Sequence, residues 1–276
     1  MYFNTFDKNK ISFKIFNNNK KENIIILHGW TARGSFYYFL KRYLDFANLI
    51  IWDARGHGDS FKDKDASIEK IAIDLRVLIE NLNLNNLTVI GHSMGALTLF
   101  EYFSQFEEPK IDRIVIIDQS PKLITDNDWN LGLYGNFTHE DNKKLIKEFE
   151  EDLSIGLIKL SYAYGINEDY RKMYNENFEL LYSNRRIFDE EQKTSLINIW
   201  KTFSVKDYRP VLNKIKIPTL LIYGGKSQFY KRETGLYMKN NISNSRLVYF
   251  EDQDHSPLIG KPALFKNEVY DFIKGV

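Results

Sequence analysis

The pentapeptide Gly91-His92-Ser93-Met94-Gly95 places a hydroxyl between two glycines. Before it, Leu87-Thr88-Val89-Ile90 has the continuous apolar character of a buried strand, and from Met94 to Phe106 apolar residues recur at helical spacing. A serine at the tip of so tight a strand-to-helix turn sits on strained backbone, and only small flanking residues leave it room. The chemistry open to Ser93 is nucleophilic attack, provided an imidazole takes its proton. The same turn sets the Met94 amide at a helix N-terminus, where its N–H and the positive dipole end stabilise a developing oxyanion. Such a site needs two converging donors. The loop His28-Gly29-Trp30, directly after the apolar run Ile24-Ile25-Ile26-Leu27, offers the Trp30 backbone N–H as the second, with His28 read as the residue that fixes the loop.

These residues need a frame that brings strand ends together. The alternating stretch Ile11 to Phe16 reads as an edge strand, and Ile24–Leu27, Leu49–Trp52, Leu87–Ile90, Ile114–Ile117, Leu220–Tyr223 and Leu247–Phe250 read as buried ones. Ser67 followed by Ile68, Ile71, Leu75, Leu78, Ile79 and Leu82 predicts a capped helix covering the sheet. The alternation implies an α/β fold with a mostly parallel sheet, helices on both faces and the site beyond the strands' carboxyl ends. Between Ile117 and Thr219 it gives way to helical patterns, as in Asn142 to Leu160 and Glu190 to Phe203. We therefore expect a helical cap over 122–208, inserted after the sixth strand, and a core made of 1–121 and 209–276. The cap carries Trp129, Tyr134, Phe137, Tyr162, Tyr164, Tyr174, Phe178, Tyr182, Trp200 and Phe203. That aromatic density suits either an apolar pocket or the seam that holds the cap down.

Taken together, His28-Gly29-Trp30, Asp53-Ala54-Arg55-Gly56-His57-Gly58-Asp59-Ser60, the Gly91–Gly95 turn, Pro218–Gly224 and Asp254-His255-Ser256-Pro257 resemble the α/β-hydrolase superfamily, in its serine esterase and haloperoxidase-like branch. The resemblance covers nearly the whole chain. It implies His255 as general base, since the family places that histidine after the last strand, in the chain order serine, acid, histidine. Among the other histidines, His92 belongs to the serine turn, His57 to a glycine turn and His139 to the cap. Many members carry the acid after the strand equivalent to Leu220–Tyr223, but the sequence there is Gly224-Gly225-Lys226-Ser227-Gln228, with Ser227 in the acid's slot. Haloalkane dehalogenases and some lipases carry it one strand earlier, which points to Asp118. Asp126, Asp128, Asp252 and Asp254 are lesser candidates.

The 38 Lys and Arg nearly cancel the 37 Asp and Glu, which leaves no electrostatic footprint for nucleic acid or a polybasic membrane anchor. There is no cysteine, hence no disulfide, thiolate nucleophile or cysteine metal site. Residues 1–23 hold no uninterrupted apolar segment of a secretory signal, and no run reaches the ~18 residues of a membrane span. A cytoplasmic protein is expected. Phosphate-loop, H-E-x-x-H and EF-hand spacings are lacking, so no cofactor or metal is implied. The expected activity is a serine hydrolase acting on a small, apolar carboxylic ester through an acyl-enzyme on Ser93. Thioester or lactone hydrolysis, perhydrolysis, menaquinone-pathway-like lysis and a weakly catalytic ligand-binding role are the alternatives. An aspartate nucleophile of the dehalogenase kind is disfavoured by Ser93 itself.

Overall fold

A computed structural model describes residues 1–275. Its strands are β1 (Tyr2–Asn4), β2 (Lys10–Phe16), β3 (Asn23–Leu27), β4 (Asn48–Trp52), β5 (Leu87–His92), β6 (Arg113–Ile117), β7 (Thr219–Gly224) and β8 (Ser245–Phe250). They form one sheet in the order β1-β2-β4-β3-β5-β6-β7-β8. The pairs β1/β2 and β2/β4 are antiparallel, and the remaining pairs are parallel. The inner strands are buried at nearly every position because both faces are covered. On β3, Ile24 and Ile26 pack with Tyr37, Leu40, Phe265 and Val269, while Ile25 and Leu27 face Leu75, Leu78 and Phe100 on the other side.

The stretch expected to be an edge strand is not one. Strand β2 pairs on both sides, and the edge falls to β1, whose three residues are too few to show a period in sequence. Helix α1 (Ile68–Leu82) starts where expected, with the Ser67 hydroxyl accepting the Lys70 N–H at 3.3 Å. Helix α2 (Met94–Gln105) follows the serine turn and packs against α1.

Between β6 and β7 lie α3 (His139–Glu151), α4 (Leu153–Ile158), α5 (Glu168–Ser183), α6 (Glu190–Phe203) and α7 (Arg209–Leu212). The helical pattern read from Asn142 to Leu160 is interrupted at Asp152. Its extended backbone ends α3, and its carboxylate accepts the Ser154 and Ile155 N–H groups at 2.8 and 3.0 Å to start α4. One residue thus caps a new helix in the middle of an amphipathic run. The chain then continues through α8 (Arg232–Asn241), α9 (Pro257–Gly260) and α10 (Pro262–Lys274).

A buried ion cluster anchors the loop after β4. Arg55, 0% exposed, donates to both oxygens of Asp74 on α1 at 2.8 and 2.9 Å and to Asp63 at 2.7 Å. The fork geometry of the guanidinium meets Asp74 through two parallel N–H groups and still leaves a donor for Asp63, a bidentate match that a lysine lacks. Among the described residues no helix is long and apolar enough to cross a membrane.

Candidate active site

At the end of β5 the chain turns into α2 within a single residue. Ser93 takes φ 55° and ψ −120°, and its N–H donates to the Ile117 carbonyl at 3.1 Å. The two glycines are required by contact. A Cβ on Gly95 would lie 2.2 Å from the Leu27 carbonyl oxygen, and one on Gly91 would lie 2.5 Å from the Gly95 oxygen. Helix α2 therefore rests directly on the ends of β3 and β5, with Ser93 projecting from the corner. Met94 opens the helix, so its N–H is among those a helix leaves without an intrahelical partner.

His255 stands in the loop between β8 and α9, and its Nδ1 lies 2.6 Å from Asp118 Oδ2. Facing a carboxylate, Nδ1 carries the proton, which leaves Nε2 with a lone pair. Asp118 is 0% exposed and directly follows β6. The Ser227 hydroxyl donates to the same Oδ2 at 2.7 Å, and the Gly224 N–H donates to Oδ1 at 3.1 Å. Ser227 in turn accepts the Phe229 and Tyr230 N–H groups, both at 3.2 Å. The slot left by the missing late-strand acid is thus filled by a donor to the acid on the neighbouring strand. The lesser candidates spend their oxygens elsewhere: Asp126 pairs with Lys122, and Asp254 accepts Tyr170 Oη and the Ser256 N–H.

Two buried imidazoles hold the loop after β3. His28 donates from Nδ1 to the Gly29 carbonyl and accepts the Ala54 N–H on Nε2, both at 2.9 Å. His57 donates from Nδ1 to the Arg55 carbonyl at 2.9 Å and accepts the Thr31 N–H at 3.2 Å. The Gly29 N–H donates to Tyr37 Oη at 3.3 Å, so the amides on both sides of Trp30 are committed. The Trp30 indole turns the other way, donating to the Leu196 carbonyl on α6 at 3.0 Å and lying 4.7 Å from the Trp200 ring.

Sequence reasoning gave His92 no role beyond the turn, and the structure gives it partners. Its Nε2 lies 2.9 Å from the His255 carbonyl oxygen and its Nδ1 lies 2.7 Å from Tyr37 Oη. A carbonyl can only accept, so Nε2 carries the proton and Tyr37 donates to Nδ1. Burial lowers the His92 pKa to about 3, which keeps the ring neutral. A continuous path therefore runs from the Gly29 amide through Tyr37 and His92 to the backbone of His255. The tyrosine and the histidine are ordinary core residues in sequence; only their meeting marks them.

Trp30, Ser93, Met94 and His255 line one cavity of about 310 Å³, with Asp118 buried behind His255. Of the aromatics singled out between β6 and β7, Trp200 and Phe203 line it, joined by Phe229 and Tyr230 from the loop after β7. Trp129, Tyr134 and Phe137 are buried in the seam instead, and α5, which carries Tyr174, Phe178 and Tyr182, buries none of its residues. The five residues singled out by sequence are thus grouped around one apolar space.

Parallel sheet, serine turn and histidine–aspartate contact together define a hydrolase scaffold. A profile of the family described as alpha/beta hydrolase fold matches residues 22–262, and the chain belongs to that family. It is 24% identical to Lipase 1 of Psychrobacter immobilis over 254 residues, 86% of this chain and 72% of that protein. The esterase from Exiguobacterium antarcticum superposes with a TM-score of 0.79 at 22% identity, covering 99% of both chains. A bromoperoxidase from Bacillus anthracis gives 0.79 at 22% identity, covering 96% of each.

Proposed function

We propose that the protein hydrolyses a small carboxylic ester with an apolar body through an acyl-enzyme on Ser93, under a helical cap of residues 122–208. The observation that carries this reading is the 2.6 Å contact between His255 Nδ1 and Asp118 Oδ2. It fixes the imidazole tautomer that accepts a proton and stabilises the imidazolium once formed. His255 removes the Ser93 proton, and the serine oxygen bonds to the ester carbonyl carbon. The carbonyl π pair moves onto oxygen, where the Trp30 and Met94 amides receive it. Collapse expels the alcohol, which takes the proton from His255, and water repeats the sequence to release the acid.

Relatives named lipase and esterase support hydrolysis in general. A pure binding role drew its support from the missing late-strand acid, and that support lapses now that Asp118 stands against His255. Treatment with a fluorophosphonate probe should label wild type, and labelling should vanish in Ser93→Ala, whose turnover of p-nitrophenyl butyrate should fall by on the order of 10⁴-fold or more. Unchanged turnover in Ser93→Ala would refute the proposal.

A further inference from the structure

Arg186 lies in the segment between α5 and α6 and lines the Ser93 cavity. No other lining residue carries a full charge at neutral pH, His255 being the base. The nearby Arg33 is paired with Asp59. Among the described residues no carboxylate lies within 4.0 Å of Arg186, and its guanidinium reaches only Thr31 Oγ1, at 3.4 Å. The Phe36 and Phe188 rings flank it at 5.3 and 5.2 Å. Burial and the nearby Arg33 both oppose its charge, in line with the absence of a compensating anion.

A half-buried guanidinium beside two rings, with Thr31 as its hydrogen-bond partner and no carboxylate in reach, keeps donors free to meet an anion. Its place is specific. Thr31 follows Trp30, so Arg186 stands at the cavity wall beside the loop assigned to the oxyanion. It also lines an adjoining cavity of about 500 Å³, which shares Thr31, Leu157, Ser161 and Arg186 with the first. The two cavities therefore meet at Thr31, Leu157, Ser161 and Arg186, which places a cation where the Ser93 cavity opens into its neighbour.

We propose that Arg186 is a specificity residue that binds an oxyanion, carboxylate or phosphate, carried by the substrate in addition to its reacting ester. This rests on the esterase reading for the reaction but not for the binding. The preferred ester is then a monoanion, such as a half-ester of a linear dicarboxylic acid, rather than a fully neutral one. The fork of the guanidinium matches both oxygens of a carboxylate.

The test has two parts. Steady-state kinetics compare p-nitrophenyl hydrogen adipate with neutral p-nitrophenyl butyrate in wild type, Arg186→Gln and Arg186→Lys. The anionic-to-neutral ratio of kcat/KM should fall on the order of 10-fold or more in Arg186→Gln and recover in part in Arg186→Lys. A general loosening of the cap segment would lower both rates and leave the ratio alone. Separately, tryptophan fluorescence of Ser93→Ala is titrated with monomethyl adipate, hexyl phosphate and neutral dimethyl adipate. Saturable binding of either anion, weakened by Arg186→Gln, supports the subsite even where no ester is turned over; the anion that binds identifies the head group. A ratio within twofold of wild type in Arg186→Gln, or no anion binding above that of dimethyl adipate, overturns the proposal, whether or not the esterase reading holds.

Discussion

At the level of single residues, the site is organised around one carboxylate oxygen. Asp118 Oδ2 accepts both His255 Nδ1 at 2.6 Å and the Ser227 hydroxyl at 2.7 Å, so positions 118 and 227 converge on the same point from neighbouring strands. Asp118→Asn should lower kcat by on the order of 10⁴-fold, because the amide favours the wrong imidazole tautomer. Adding Ser227→Asp to that variant returns a carboxylate to within reach of His255 and should recover at least ~10-fold of the loss, read as kcat on p-nitrophenyl butyrate. No recovery would mean that the two slots are not equivalent. Ser93, Asp118 and Thr31 also share positive φ values of 55°, 44° and 62°. Non-glycine residues there cost about 1–3 kcal/mol each, and these three stand at the proposed nucleophile, the proposed acid and the loop proposed to bind the oxyanion. The serine was readable because its turn is local in sequence. The link between Asp118 and Ser227 was not, since 109 positions separate them and only the pairing of β6 with β7 joins them.

Among the elements, the ends of β3, β5 and β8 are tied by side chains rather than by the sheet alone. Tyr37 comes from the 3₁₀ segment Gly34–Arg42, takes the Gly29 N–H and donates to His92, which in turn donates to the His255 carbonyl. Tyr37→Phe removes two of these links without opening a cavity. Partners behind a catalytic group are typically worth ~10–100-fold, so kcat should fall about 10-fold while fluorophosphonate labelling of Ser93 persists. Full activity in Tyr37→Phe would show that the path is structural only. Strand and helix positions followed from apolar periodicity, and α6 matched its pattern to the residue. The break at Asp152 is not legible in sequence, because an aspartate in an amphipathic run also suits the solvent face and its capping role depends on the fold.

For the molecule as a whole, three fully buried imidazoles set an acid limit. Burial lowers the pKa of His28, His57 and His92, the last to about 3, and each ring takes part in the hydrogen bonds described above as a neutral group. In the unfolded chain they bind protons near the ordinary value of 6.5. Because the folded values are depressed, their contribution is complete above pH 6.5 and declines as pH falls toward 3. At pH 5 His92 alone costs about 2 kcal/mol. Urea midpoints should drop between pH 7 and pH 5.5, above the range where most carboxylates titrate, and a flat midpoint over that interval would contradict neutral burial. The α/β class was legible in the alternation of apolar runs, whereas Arg186 was not. The lack of a partner is a property of the assembled molecule, and in sequence an arginine beside Arg185 reads as solvated surface.

The Trp30 indole reaches away from the serine to the Leu196 carbonyl and stacks among Phe149, Trp200 and Phe203. The helices between β6 and β7 therefore back the loop that faces Ser93. Excising them would strip that backing, so a shortened chain would have to brace the loop in another way. A substitution at Trp30 is thus also a substitution in the packing of α3 and α6.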